Sequence, residues 1–144
     1  MKERLEAVLQ PVLGRVTVEN LRALTGGASR TTWAFDAVTD SRRALILRTG
    51  PPDDVHAGME LEAAVQQRAA AAGAPVPHIL AADNSPAALG NPYLICDAIG
   101  GETIVRRIQR ALDDSRRERL LQQCARALAA IHRADPNGVG LTQV

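Results

Sequence analysis

The sequence predicts an α+β fold in which an antiparallel sheet of about five strands comes first and helices follow. Three observations carry that prediction. Segments rich in β-branched, aromatic and aliphatic residues fill the first half of the chain. One strongly helical segment, "HAGMELEAAVQQRAAAAGAPVP", interrupts them after the third. A break at "DAIGGE" then separates the last of them from two helical segments.

The elements follow in order. Leu5, Val8, Leu9 and Val12 recur at helical spacing, and Pro11 with Gly14 limits this first helix. Val16, Val18 and Leu24 lead into a glycine-rich stretch, beyond which "TTWAFDAV" resumes, so an antiparallel pair closed by Gly26 and Gly27 is expected. "ALILRTGPP" gives a third strand over 44–49, stopped by Gly50, Pro51 and Pro52. The helix after it should span 57–72, ending at Gly73 with Pro75 and Pro77 forbidding continuation. "HILAADN" and "PYLICDA" read as two short strands. Helices are expected at 103–112 and 115–133, the second with Leu121, Cys124, Ala125, Leu128 and Ile131 on one apolar stripe. Residues 1–97 then form one lobe, and 98–144 a hinge and the first helices of another.

Composition removes several functions. With 144 residues, 46% of them hydrophobic, the chain can bury an ordinary core as one domain, or one plus part of another. A net charge of +1 gives no broad field to recruit nucleic acid or anionic membrane. Aromatics are only Trp33, Phe35 and Tyr93, too few for the stacking platforms of single-strand binders. No apolar run approaches the ~20 residues that span a bilayer. The start "MKERLEAVLQ" is charged where a signal peptide is apolar, so a cytoplasmic protein is expected. Cys96 and Cys124 form no C-x-x-C pair, and His56, His78 and His132 share no metal-like spacing; buried free thiols and no structural metal are expected. Lys2 is the one lysine, so no lysine follows a glycine loop and a P-loop is excluded.

The element order also suits a nucleotide. A glycine-rich hairpin covers phosphates, a cation on the next strand meets them, a carboxylate on the following helix holds that cation, and a strand end offers backbone groups to a purine. Gly27, Ala28, Ser29 and Arg30 supply the hairpin tip, where backbone N–H groups and the Ser29 hydroxyl can donate to phosphate oxygens, although a plain hairpin needs the same glycines. Arg48 is the one basic side chain within "ALILRT", and is either partnered by an anion or an edge-strand arginine facing water. Glu60 and Glu62 are the carboxylates of the next helix, with Glu62 preferred over the alternative of a solvated face for both. After "PYLI" the backbone of Cys96, Asp97 and Ala98 precedes Gly100 and Gly101.

These residues, in this order, resemble the aminoglycoside phosphotransferase family, whose fold is similar to that of protein kinases. "GASR" stands where that family has its phosphate-covering loop, "LILRT" where it has the strand bearing the phosphate-binding cation, and "LICDAIGG" where it has the adenine-binding hinge. "ALAAIHRADPNGVGL" resembles the family's helix ending in Leu-His, with isoleucine in place of leucine, and "APVPHIL", whose Pro75 comes thirteen residues after Glu62, resembles its strand approach. The resemblance covers nearly the whole chain and implies a protein-kinase-like small lobe with a regulatory-type helix, then a hinge and the first helices of the helical lobe. It implies that Gly27, Ala28 and Ser29 touch phosphate, that Arg48 takes the cation position, and that Glu62 pairs with it. It further implies that Cys96 C=O and Ala98 N–H bond the adenine of ATP, with Ile95 behind the ring. Most kinase-like proteins have lysine where Arg48 stands; arginine forks its donors and keeps its charge.

"IHRADPNG" superficially matches the kinase H-R-D-x-x-x-x-N loop. His132 and Asp135 are three apart and Asn137 follows two later, at an expected helix end, so a structural role is assigned to all three. The family's catalytic and metal-binding aspartates lie in the helical lobe beyond these motifs, and Mg²⁺ is expected only with that lobe. The expectation is therefore the ATP-binding lobe of a small-molecule kinase, truncated or a fragment, with its helical stripe partly exposed for a homodimer or for the missing lobe. The alternative is a non-catalytic, pseudokinase-like interaction module.

Overall fold

The computed structural model describes residues 1–24, 30–51 and 58–137. Along them run α1 (Lys2–Leu13), β1 (Thr17–Leu24), β2 (Thr31–Val38), β3 (Arg42–Thr49), α2 (Met59–Ala71), β4 (Ile79–Asp83), β5 (Tyr93–Asp97), α3 (Val105–Ala111) and α4 (Asp114–Arg133). The predicted α+β class is the one observed. The chain divides into two compact units, Met1–Val65 with Pro77–Ala98, and Gln66–Val76 with Ile99–Val144.

In the first unit the five strands form one sheet in the order β1-β2-β3-β5-β4, with every neighbouring pair antiparallel. Side chains alternate between faces along each strand, so the sheet sorts its own residues. Val18, Phe35, Ala37, Leu45, Leu47, Tyr93 and Ile95 form one buried face, packed by Leu5 and Leu9 of α1. Leu94, Cys96 and Ile79 form the other, packed by Met59 and Ala63 of α2, with Ile46 and Ala82 against them. Both faces of β3 and β5 are therefore covered, which is why these strands read as unbroken apolar runs rather than as alternating ones.

Local chemistry explains most boundaries. α1 runs through Pro11 to Leu13 and stops at Gly14, the second of the two residues expected to limit it, whose N–H bonds Gln10 O at 2.9 Å. A proline this near the C-terminus removes one helical bond and has little helix downstream to misalign. β3 starts at Arg42, two residues before its predicted first residue, because Arg42 and Arg43 pair with Val38 and Ala37. α2 ends in a Schellman motif: Gly73 takes φ 90°, Gly73 N–H bonds Ala70 O, and Ala74 N–H bonds Ala69 O. At its start the Glu60 N–H donates to Asn84 Oδ1 at 3.1 Å, a cap supplied from just beyond β4. β1 and β2 change register between Glu19 and Arg22, where Asn20 takes φ 53° and its amide donates to Asp36 at 2.7 Å. Asparagine tolerates that left-handed conformation, and the result is a β-bulge. The turn expected at Gly26 and Gly27 lies outside the described residues.

In the second unit Ala69, Ala74 and Ala130 form a small buried cluster. α4 starts at Asp114 rather than 115, because Asp113 caps it by accepting from Arg116 N–H at 2.8 Å. That bond and one from Ser115 hold the Asp113 carboxyl below its ordinary pKa. α3 is shorter than predicted, Val105–Ala111. The predicted apolar stripe of α4 is present and open to solvent, with Leu121, Leu128 and Ile131 all exposed. Cys124 is exposed too, against the expectation of a buried thiol, because it belongs to that stripe. No helix among the described residues is long and apolar enough to cross a membrane.

Candidate functional site

β3 is the central strand of the sheet, so Arg48 is not an edge-strand residue. Its pairing with Leu94 places both on the face that α2 covers. There the Arg48 guanidinium donates from Nη1 to Glu62 Oε1, with side-chain exposures of 34% and 19%. Water is only partly excluded, so the pair is neither fully screened nor fully buried. The structure thus brings together the two charged residues that the sequence singles out.

Glu62 also accepts, through Oε2, from Nη1 of Arg30, whose side chain is 16% exposed. The same Arg30 nitrogen lies 3.2 Å from Met59 Sδ. One carboxylate of α2 therefore lies between two guanidiniums, one from β3 and one from the residue just before β2. Sequence reasoning placed Arg30 at a hairpin tip and missed this side-chain contact. The contact follows from strand register, which the letters do not carry: Thr32 pairs with Arg48, and a period of two puts residues 30 and 32 on Arg48's face. Glu60, the rejected carboxylate, instead accepts from Asn84 Nδ2 at 2.9 Å.

A Cβ on Gly50, immediately after β3, would fall 2.8 Å from Met59 Cε, the far end of a flexible side chain that can shift to admit it.

The expected purine edge is placed differently. Ala98 N–H donates to Ala44 O at 3.0 Å, so the sheet already uses it. Bonded pairs alternate along an antiparallel ladder, and the same phase directs the Cys96 N–H and C=O towards Ile46. The ladder continues through Asp97 and Ala98, within the strand expected over "PYLICDA". Ile95 lies on the α1 face with Leu45 and Leu47, opposite Arg48, so it is not positioned behind a ring bound on Arg48's side. Leu94 and Cys96 share Arg48's face. Burial pushes the Cys96 thiol pKa up, with the nearby Arg48 charge opposing that shift. Gly27, Ala28 and Ser29 lie outside the described residues.

At this end of the sheet Arg43 clasps Asp97 with two bonds, Nε to Oδ1 at 2.6 Å and Nη2 to Oδ2 at 3.0 Å, and Nη2 is 3.3 Å from His78 Nδ1. The Arg43 bonds hold the Asp97 carboxyl below its ordinary pKa. A depressed carboxylate stabilises the fold above its unfolded pKa and loses that contribution as pH falls through the folded one. Asp97→Asn should therefore be less stable than the unsubstituted chain at pH 6 by under about 1 kcal/mol, the range of a solvent-accessible pair. The difference should hold down to about pH 3.9, the unfolded value, and disappear in urea titrations only as pH falls further, through the lowered folded pKa.

Among the described residues no group of three or more His, Cys, Asp or Glu is arranged to hold a metal ion. His132 belongs to the last turn of α4, and Asp135 Oδ1 accepts from both the backbone and the side chain of Asn137, a local turn. A cleft of about 300 Å³ beside α1, lined by Glu3, Glu6, Gln10 and Arg15 among others, shares no residue with the Arg48 cluster.

Comparison with known proteins adds the following. The family model described as "Phosphotransferase enzyme family" matches residues 20–143. The fold is similar to that of a Ralstonia eutropha protein described as an aminoglycoside phosphotransferase, with TM-score 0.65 and 20% identity over 99% of this chain and 41% of that one. It is also similar to a thermostable mutant of the aminoglycoside phosphotransferase APH(4)-Ia in ternary complex with AMP-PNP and hygromycin B, with TM-score 0.57 and 25% identity over 91% of this chain and 39% of that one. The chain thus spans less than half the length of these solved structures. No curated protein matches it.

Proposed function

The chain belongs to the phosphotransferase enzyme family, and from that premise we propose that residues 1–97 are the ATP-binding lobe of a small-molecule kinase and that 98–144 begin its helical lobe. One observation carries the reading: the central-strand Arg48 is held by Glu62 of the helix that packs on its face. A guanidinium fixed by a carboxylate is oriented before an anion arrives, and phosphate oxygens suit its forked donors. The AMP-PNP in the APH(4)-Ia complex supports a nucleotide as the anion.

In this reading Arg48 binds and orients phosphate, Glu62 holds the Arg48 fork, and Gly27, Ala28 and Ser29 donate N–H and hydroxyl groups. The purine edge is left to backbone other than the Ala98 N–H. Mg²⁺ goes with the remainder of the helical lobe in this reading, since no three potential ligands gather among the described residues. The acceptor and its base belong to the remainder of a helical lobe, for which the exposed α4 face is the natural packing surface. A cytoplasmic location goes with this role.

The test is calorimetric titration of the chain with ATP. Binding is expected, and Arg48→Ala should weaken it about 10- to 100-fold, the worth of a hydrogen bond to a charged group. If ATP does not bind at millimolar concentration, or Arg48→Ala leaves its affinity unchanged, the reading falls and the chain is a non-catalytic interaction module using the α4 face.

A further inference from the structure

We propose that Arg30 is a second phosphate-binding guanidinium, acting beside Arg48 and selective for the terminal phosphates of a nucleoside triphosphate. The inference rests on the nucleotide reading above and extends it to a residue outside the expected cation position.

Three facts on one face of the sheet carry it. Glu62 meets Arg48 through Oε1 and Arg30 through Oε2, so both guanidiniums converge on a single small anion. They arrive from different places, Arg48 from the central strand and Arg30 from the residue before β2, and both reach the α2 face, where Thr32 pairs with Arg48 and Arg30 meets Glu62. The Arg30 side chain is largely covered, at 16% exposure, and its Nη1 lies against the Met59 thioether, so the guanidinium is held in one orientation rather than sweeping through solvent.

Chemistry then selects the ligand. Two guanidiniums that share one carboxylate sit within reach of a common anion, and a polyphosphate supplies several charged oxygens in series where Glu62 supplies two. A lone phosphate at the nucleoside end meets one such group, whereas the tail of a triphosphate reaches both. Arginine is suited to this because each fork can hold two oxygens of one phosphoryl group, which a lysine ammonium cannot do. The competing description makes Arg30 only a tie between the start of β2 and α2. The two differ in what they do to selectivity: a tie changes stability and affects all adenine ligands alike, while a phosphate ligand changes affinity in proportion to the phosphate chain.

The experiment is titration of the chain, Arg48→Ala, Arg30→Met and Arg30→Lys with adenosine, AMP, ADP and ATP, with urea midpoints measured in parallel. Arg30→Met should weaken ATP about tenfold, ADP less, and leave adenosine unchanged, so that the ATP-to-AMP preference collapses. Arg30→Lys should recover part of the ATP affinity through charge alone, and it carries the test if Arg30→Met does not fold. If Arg48→Ala lowers the ATP-to-AMP preference and neither Arg30 variant does, Arg30 is a structural tie and this proposal is overturned while the nucleotide reading stands. If the unsubstituted chain binds no ATP, the nucleotide reading fails first and takes this one with it.

Discussion

Glu62→Ala should destabilise the chain by about 2 kcal/mol, more than Arg30→Met or Arg48→Met does alone. The carboxylate serves two guanidiniums at once, and its removal leaves both on the α2 face with the attraction between them and Glu62 gone. The magnitude lies between two limits. Exposed pairs contribute under about 1 kcal/mol, and breaking a fully buried pair costs about 3–5 kcal/mol. Exposures of 16% to 34% place this cluster between them. Glu62→Gln, which keeps the shape and an acceptor oxygen but not the charge, should recover part of the loss. Urea midpoints for the four variants measure this. The effects should be non-additive, since either arginine substitution already relieves the crowding that Glu62→Ala creates. Additive losses would mean that the carboxylate serves the two arginines independently.

Much of this arrangement was legible in the letters, and the limits of legibility have a physical cause. Arg48 stood out because a fixed cation within "ALILRT" is costly without a partner, and Glu62 followed as a carboxylate on the next helix. Gly73 and Pro75 marked the end of α2 because glycine takes the left-handed cap and a proline soon after it cannot continue a helix. Arg30 was passed over because its partner is 32 residues away, and only the register of β2 on β3 brings them together. The partners of the last residues of β5 were hidden for a related reason. Cys96, Asp97 and Ala98 have no local residue that stops a strand, and their bonds to β3 and to His78 are long-range. Ile95 lies on the α1 face with Leu45 and Leu47 for the same kind of reason: one residue of strand phase exchanges the two faces of the sheet. Local punctuation is written in sequence, and strand partnership is not.

The two faces of that sheet can be separated by experiment, and Leu9→Ala is the substitution that does so. Leu9 is fully buried in α1, packed in the cluster that holds Phe35, Leu45, Leu47 and Ile95, on the face away from Arg48. Truncating a buried leucine removes transfer free energy and leaves a cavity, together about 3 kcal/mol, enough to move the urea midpoint of a small domain substantially. Val12, three residues along the same helix and half exposed, provides the control: Val12→Ala should change stability by less than about 0.5 kcal/mol. Neither α1 residue touches Glu62, Arg30 or Arg48, so at a temperature where Leu9→Ala remains folded its affinity for ATP should match that of the unsubstituted chain within about twofold, inside the additivity expected of distant sites. Arg48→Ala should show the opposite pattern, with affinity lost and most stability kept. If Leu9→Ala weakens ATP as much as it weakens the fold, the α1 face is shaping the guanidinium cluster through the strands, and the sheet cannot be treated as a rigid partition between core and site.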